Sequence, residues 1–318
     1  MNHLDNFGTN LTSGTSASDT TSPVNSVPSI AAPFWVAFDA TNINSHYERK
    51  LITSKTATNI LHSALSYDHT TAEEVRIVNP AAEFDALSTG WQTGPGTWTY
   101  SSADSPTFVL TTSVDLSSFI GVGARIKLTQ TTEKFFIVTA ISSTTITLYG
   151  GTDYTLTAAA ITSPYFSIMK APIGFPLDPT KWTVVTTNSS DNTQASPVAG
   201  TWYNLGSVSV SIPIGVWNVK MKVVGYTIKA STSVDNFVTL STANNSESNT
   251  KMTGYCIAGA GSGSVSPSQT HHVEDILVLA SKTTHYLNTK TNTASASSIY
   301  NGGAFGTPTI IRAVCAYL

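Results

Sequence analysis

Charge is scarce in this chain. Only 11% of its 318 residues are Asp, Glu, Lys or Arg, less than half of the roughly 25% usual in a soluble domain. The formal net charge is −3, so there is no lysine-arginine surplus to neutralise nucleic-acid phosphates or to hold an anionic membrane surface. Long apolar runs are missing too: nothing approaches the ~18–20 residues needed to cross a bilayer. The opening MNHLDNFGTNLTSGTSASDT lacks the basic start and apolar centre of a secretory signal. These absences predict a soluble protein with no nucleic-acid partner and no membrane insertion. Cysteine is limited to Cys256 and Cys315, both in mostly apolar or small-residue surroundings. A disulfide framework usually carries more cysteines at tighter spacing, so both are expected as buried free thiols. Catalytic signatures are also lacking. There is no nucleophile elbow, phosphate loop, metalloprotease helix or Cys-x-x-Cys pair. The glycine-rich GAGSGSVSP has no lysine or helix after it. The chain therefore reads as non-enzymatic and without a cofactor.

Hydroxyls stand where the charges would be. The chain has 49 threonines and 40 serines, more than a quarter of its residues, and β-branched threonine suits a pleated, half-wet strand face. The prediction is an all-β fold: serial small β modules, then a C-terminal jelly-roll-like β-sandwich. A length of 318 residues fits two or three modules better than one core.

Residues 1–32 are rich in Ser, Thr, Asn, Gly and Pro with almost no apolar periodicity, and read as a flexible attachment arm ordered against a partner. A first module, 33–90, starts at PFWVAFDA, where Phe34, Val36 and Phe38 alternate with Trp35, Ala37 and Asp39. RKLITS, TNILHS and EEVRIVN continue it. PAAEFDALST, residues 80–89, predicts one short helix: Pro80 suits a first turn, Glu83 and Asp85 lie early, and Gly90 stops it. A second module spans 91–170, a proline-rich joint 171–195 carries Pro172, Pro176 and Pro179, and a sandwich head runs from 196 to 318. A shift of 86 residues places Ile52 and Thr53 on Val138 and Thr139, Ile60 on Ile146, Ala72 on Ala158 and Val75 on Ile161. The first two modules thus read as divergent copies of one unit.

Particular stretches carry a resemblance. GWQTGPGTWTYSSADSPTF, then ARIKLTQTTEKFFIVTAISSTTITLYGGTDYTLTAAAITSPY and GFPLDPTKW, are similar to a recurrent bacteriophage structural module. YERKLITSKTATNILHS with DHTTAEEVRIV resembles a phage tail-protein unit, though without that unit's usual Arg-Gly turn. IPIGVWNVKMKVVGYTI, FVTLSTANNSES, KTTHYLNTKT and IIRAVCAYL resemble the jelly-roll heads at phage fibre tips. The resemblance covers roughly residues 33–318. It implies a virion protein of the tail-fibre or spike kind: a homotrimer attached to other virion proteins at its amino-terminal end, with a distal carboxy-terminal head meeting the host surface. A capsid decoration protein or head fibre without a dedicated receptor, and a surface-polysaccharide depolymerase, are the alternatives.

Host-surface glycan is the binding partner the side chains favour, since aromatic rings stack on sugar faces and amides or carboxylates pair with sugar hydroxyls. In the head the candidates are Asp235, Asn236, Asn244, Asn245, Tyr255, Tyr300 and Asn301. Tyr255 and Tyr300 equally suit a subunit interface, where tyrosine is enriched. His271-His272 with Glu274-Asp275 is the densest titratable cluster. Neighbours on a strand point to opposite faces. Only His272 and Glu274 therefore share one, and three copies around a trimer axis would close a metal site there. The plainer reading is a solvated strand start. His62 and His69 read as polar loop-side residues. A depolymerase would need two facing carboxylates, for which Asp235 with Glu247 or Asp191 are the candidates.

Overall fold

The computed structural model describes residues 8–27, 32, 34–39, 47–77, 88–230, 233–259, 264–265, 268–302 and 307–318. The chain is all-β, in antiparallel sheets with two short 3-10 turns among the described residues, and separates into two units, Met1–Thr89 and Gly90–Leu318. The helix expected over 80–89 lies outside the described residues except for its last two, Ser88 and Thr89, which are helical. Among the described residues no helix is long and apolar enough to cross a membrane.

The first unit corrects the picture of residues 1–32 as a free arm. Gly8–Asn10 pairs with Glu74–Ile77, and Thr21–Pro23 pairs with Asn59–Leu61. Leu11 and Val24 are buried beside Val36, Phe38, Ile52 and Ile60. Two well-placed apolar residues suffice because the strand ladders satisfy the polar backbone between them. His62 and His69 are buried rather than loop-side. The His69 ring lies between two carboxylates, with Nε2 2.8 Å from Glu48 Oε1 and Nδ1 2.5 Å from Glu73 Oε1. Glu48 also accepts the Ser66 backbone N–H at 3.0 Å and pairs with Lys50 at 2.9 Å. His62 sits against Ser22 Oγ at 2.9 Å, and both imidazoles pack on the Phe38 ring. Burial alone would raise the Glu48 carboxyl, but the hydrogen bonds from His69, Lys50 and Ser66 and the Lys50 charge outweigh it and hold the pKa down at about 2.

In the second unit, residues 90–170 form a seven-stranded sheet. Its order runs Gln92–Thr93, Thr162–Ser167, Arg125–Gln130, Thr132–Ser142, Thr145–Tyr149, Thr107–Thr112, Trp98–Asp104. The shift of 86 residues is realised in one hairpin: Ser54 pairs with Leu61 and Lys55 with Ile60, as Ala140 pairs with Thr147 and Ile141 with Ile146. The surroundings differ. Thr132–Ser142 carries both this hairpin and the pairing with Arg125–Gln130 in one sheet, whereas Ser54–Lys55 and Glu48–Ile52 lie in different sheets.

The sandwich has two sheets. The larger joins Thr183–Asn188, Asp191–Ala195, Gly215–Ala230, Gln269–Leu279, Ser298–Gly302 and Thr309–Cys315. The smaller runs Ser209–Ile212, Thr283–Lys290, Val234–Ser241, Thr253–Ala258. Val219, Met221 and Val223 of one face Val238, Leu240 and Leu287 of the other. Cys256 and Cys315 are buried free thiols, as the sequence predicts, and burial pushes the Cys315 thiol up to about 11.

The proline-rich stretch 171–195 is packed structure, not a joint. Phe175 stacks on the fully buried Trp182 at 5.1 Å, Trp182 Nε1 donates to the Pro176 carbonyl at 2.7 Å, and the remainder supplies two strands of the larger sheet. The Tyr149 ring lies 4.9 Å from Trp217 and 6.0 Å from Trp182, so one core continues from the 90–170 sheet into the sandwich. Arg125, fully buried, donates to the carbonyls of Lys170, Gly123 and Tyr317 at 3.0, 2.7 and 2.9 Å, with its guanidinium over the Phe175 ring.

Two outcomes follow from this packing. Trp217→Ala should cost about 3–5 kcal/mol and displace a single melting transition of residues 90–318. Two separate transitions, only one of them displaced, would contradict the shared core. In the first unit the Glu48 pKa is below its ordinary 4.5 when folded. Its contribution is therefore complete above that pH and is lost as pH falls toward 2. Glu48→Gln should flatten this acid slope, read by hydrogen exchange of residues 47–77 at a series of pH values. An unchanged slope would contradict the assignment.

Candidate functional site

Strand alternation on the smaller sheet builds an outward aromatic shelf. Asn236, Val238 and Leu240 point into the core, which turns Phe237 outward. Phe237 stands opposite Tyr255 on one neighbouring strand and opposite Lys290 on the other. The Tyr255 ring stacks on Phe237 at 5.6 Å and 22°, and Lys290 Nζ lies 5.1 Å from the Phe237 centroid and 4.5 Å from that of Trp202. The row therefore reads Trp202, Lys290, Phe237, Tyr255. Tyr255 is 65% exposed, and Phe237 and Trp202 are half-buried. The loop 242–250 covers the rest of this face: Asn288 Nδ2 donates to the Ala243 and Ser246 carbonyls, and the Asn245 N–H donates to Asn288 Oδ1. Rings held flat by neighbours, with a cation between them, can receive the apolar face of a pyranose while the ammonium donates to its oxygens.

The other predicted residues do different work. Asp235 organises a turn: its Oδ1 accepts from Thr291 Oγ1 at 2.6 Å, the Asn292 N–H at 2.8 Å, and the N–H and Oγ1 of Thr293. Asn236 and Asn301 are buried, and Asn301 Nδ2 donates to Thr289 Oγ1 at 2.9 Å. Asn245 sits at φ 55° and accepts the Asn204 N–H at 2.6 Å. Asn244 is exposed on the same loop. Tyr300 is on the larger sheet, stacked on Tyr226 at 4.2 Å and 9°. Of the predicted set, Tyr255 alone belongs to the shelf. Asp235, Glu247 and Asp191 are each held by separate partners, Glu247 by Thr253 Oγ1 at 2.5 Å and Asp191 by Tyr226.

The histidine pair splits as alternation requires. His272 and Glu274 share the solvent face, and Glu274 pairs with Lys220 at 2.7 Å. His271 departs from the expected solvated strand start: it is 5% exposed, between the sheets. Among the described residues its Nε2 and the Asn236 Oδ1 have no hydrogen-bond partner, and both are buried and face Gly225, where a Cβ would lie 2.3 Å from Asn236 Oδ1. Among the described residues no group of three or more His, Cys, Asp or Glu is placed to hold a metal ion. Burial, with neighbouring His272, lowers the His271 pKa to about 4.

Trp202, Phe237 and Lys290 are not apparent from the sequence because strand register and a loop residue bring the shelf together, Phe237 and Lys290 lying more than fifty residues apart. The available signal was an aromatic out of phase in DNFVTLST, between two inward positions.

No protein-family model matches the chain, and no curated protein is significantly similar to it. Among solved structures, a particle of infectious bursal disease virus, strain Gx, aligns at 12% identity over 96% of this chain and 74% of its own, with a TM-score of 0.21. The VP2 subviral particle of the same virus aligns at 12% identity over 98% and 78%, with a TM-score of 0.23. A tandem CBM22 segment of Xyn10C from Paenibacillus barcinonensis aligns at 10% identity over 71% and 94%, with a TM-score of 0.19. TM-scores at this level do not define a common fold.

His271 yields a pH prediction. The folded state resists a proton that the unfolded chain accepts near 6.5, so stability is complete above that pH and falls toward pH 4, by up to about 3 kcal/mol. Buried His285 acts in the same direction. His271→Gln should flatten the decline of melting temperature over this interval, and an identical decline in the variant would contradict it.

Proposed function

We propose that the chain is a non-enzymatic structural protein of a bacteriophage particle, a tail fibre or spike whose C-terminal sandwich meets the host surface and binds sugar on the Trp202–Tyr255 shelf. The observation that carries this reading is the shelf itself: three aromatic side chains and a lysine aligned on an outer sheet face, one ring 65% exposed. A rigid sandwich carrying such a row suits recognition, since binding loses little conformational entropy. Residues 1–32, of which 8–27 pack into the first unit, are on this reading part of the contact with other virion proteins.

The chain acts as a homotrimer. Support comes from apolar side chains left in solvent: Ile168 is 71% exposed, Ile173 67% and Val278 77%. Val122 and Ile168 line one hollow with Gly121, Lys170 and Tyr317. Surfaces of this kind mark association sites. Among the described residues Gln269–Leu279 is ladder-bonded along one side only, to Gly215–Ala230, and offers a strand edge.

The test is binding of the full chain to an array of bacterial surface polysaccharides, beside Trp202→Ala/Tyr255→Ala. The account expects binding to at least one polymer. It also expects a loss of at least tenfold, about 1.4 kcal/mol, in the variant at unchanged melting temperature. Binding indifferent to the substitutions contradicts the shelf as the binding site, and no binding at all contradicts the shelf and favours a decoration protein without a receptor. Release of reducing ends from a bound polymer contradicts the non-enzymatic reading and favours a depolymerase.

A further inference from the structure

The outer face of the larger sheet has a second, chemically different arrangement. Gly215–Ala230 runs through it, with Gln269–Leu279 on one side and Thr309–Cys315 followed by Ser298–Gly302 on the other. Register places Arg312, Lys220 and Glu274 in one outward row, Ile310, Lys222 and His272 in the next, and Tyr300 beside Tyr226 further along. Rows two residues apart are separated by about 7 Å, and Lys222 and Tyr226 by about 13 Å.

The charges on this face do not cancel. Glu274 is paired with Lys220, while Lys222 and Arg312 have no carboxylate partner among the described residues. Three of the 16 basic residues of the chain thus lie within two adjacent rows of one sheet face. A depression of about 410 Å³, lined by Lys220, His272 and Glu274, opens beside them. At the far end the Tyr226 and Tyr300 rings are stacked at 4.2 Å, and the Tyr226 hydroxyl donates to Asp191 Oδ2 at 3.3 Å. The stacked pair is closed to an inserting base but presents flat ring to a sugar.

We infer that this face binds an anionic polysaccharide. Lys222 and Arg312 take its carboxylate or phosphodiester groups, and the Tyr226–Tyr300 stack receives a sugar ring about two residues further along the polymer. Guanidinium and ammonium groups recognise both kinds of anion, and the stack supplies the ring contact that a bare polyanion site lacks. The choice of polymer rests on the sandwich being a surface-binding head. The face is separate from the aromatic shelf of the smaller sheet.

The test uses the full chain on a biosensor with four probes: polygalacturonate, poly(glycerol phosphate) teichoic acid, neutral dextran and single-stranded DNA. The expected result is binding to one or both anionic glycans, weakened by added salt, at least tenfold weaker in Lys222→Gln/Arg312→Gln, and unchanged in Trp202→Ala/Tyr255→Ala. Which glycan binds identifies the anion. No binding to either anionic glycan overturns the inference, as does equal binding by the Lys222→Gln/Arg312→Gln variant at wild-type melting temperature. Equal affinity for single-stranded DNA overturns it in favour of a site reading charge alone. Anionic binding lost in the Trp202→Ala/Tyr255→Ala variant and retained in the Lys222→Gln/Arg312→Gln variant also overturns it, and would move the site to the shelf. If neutral polymers fail to bind while anionic binding depends on Lys222 and Arg312, the shelf reading fails and this one stands.

Discussion

A buried cation whose hydrogen-bond partners among the described residues are all backbone carbonyls ties together the seam of the second unit. Arg125 is fully enclosed, yet its three hydrogen-bond partners are backbone carbonyls, one of them from Tyr317 at the far end of the chain. Desolvation lowers its pKa and works against the charge. Three well-directed acceptors and the Phe175 face replace the lost water. The same seam contains Tyr149, Trp182 and Trp217, whose rings close the gap between the 90–170 sheet and the sandwich. Beside the separate cluster of Phe108, Leu110, Ile126 and Phe136 within the 90–170 sheet, the core of the sandwich thus extends across the seam into residues 90–170, and that packing fixes the outer sheet faces on which side chains are displayed.

Hydroxyls and amides carry much of the remaining organisation. The Asp235 turn is closed by Thr291, Asn292 and Thr293, and the 242–250 loop is fastened by Asn288 and Asn245. Each of these residues looks, in one dimension, like a polar loop side chain available to a ligand. Each is spent on the chain's own backbone. The composition that predicts a β protein with little charge therefore also hides which polar residues are structural, because Asn and Asp serve turns and ligands through the same hydrogen-bonding groups.

Legibility in the sequence followed the range of the interaction. Period-two alternation marked Phe34–Phe38, Glu48–Ile52 and the long Gly215–Ala230 strand, and it separated His271 from His272. It does not say which face is inward, so it gives no sign that packing against the second sheet encloses His271. Leu11 and Val24 were too few to register as a pattern, although their burial ties residues 8–27 into the first unit. The three prolines of 171–195 read as a break, but the stacking of Phe175 on Trp182 pulls the segment into the core. Tyr255 was found by residue type. Its partners Phe237, Lys290 and Trp202 were not, because the contact depends on strand register.

The account depends on open sheet edges and exposed apolar side chains being covered by sister chains while the shelf stays in solvent. Sedimentation velocity combined with native mass spectrometry of the purified full chain tests this most directly. The predicted result is a stable species of three times the 33.6 kDa chain mass that persists on dilution. A species of a single chain mass at every concentration would contradict it.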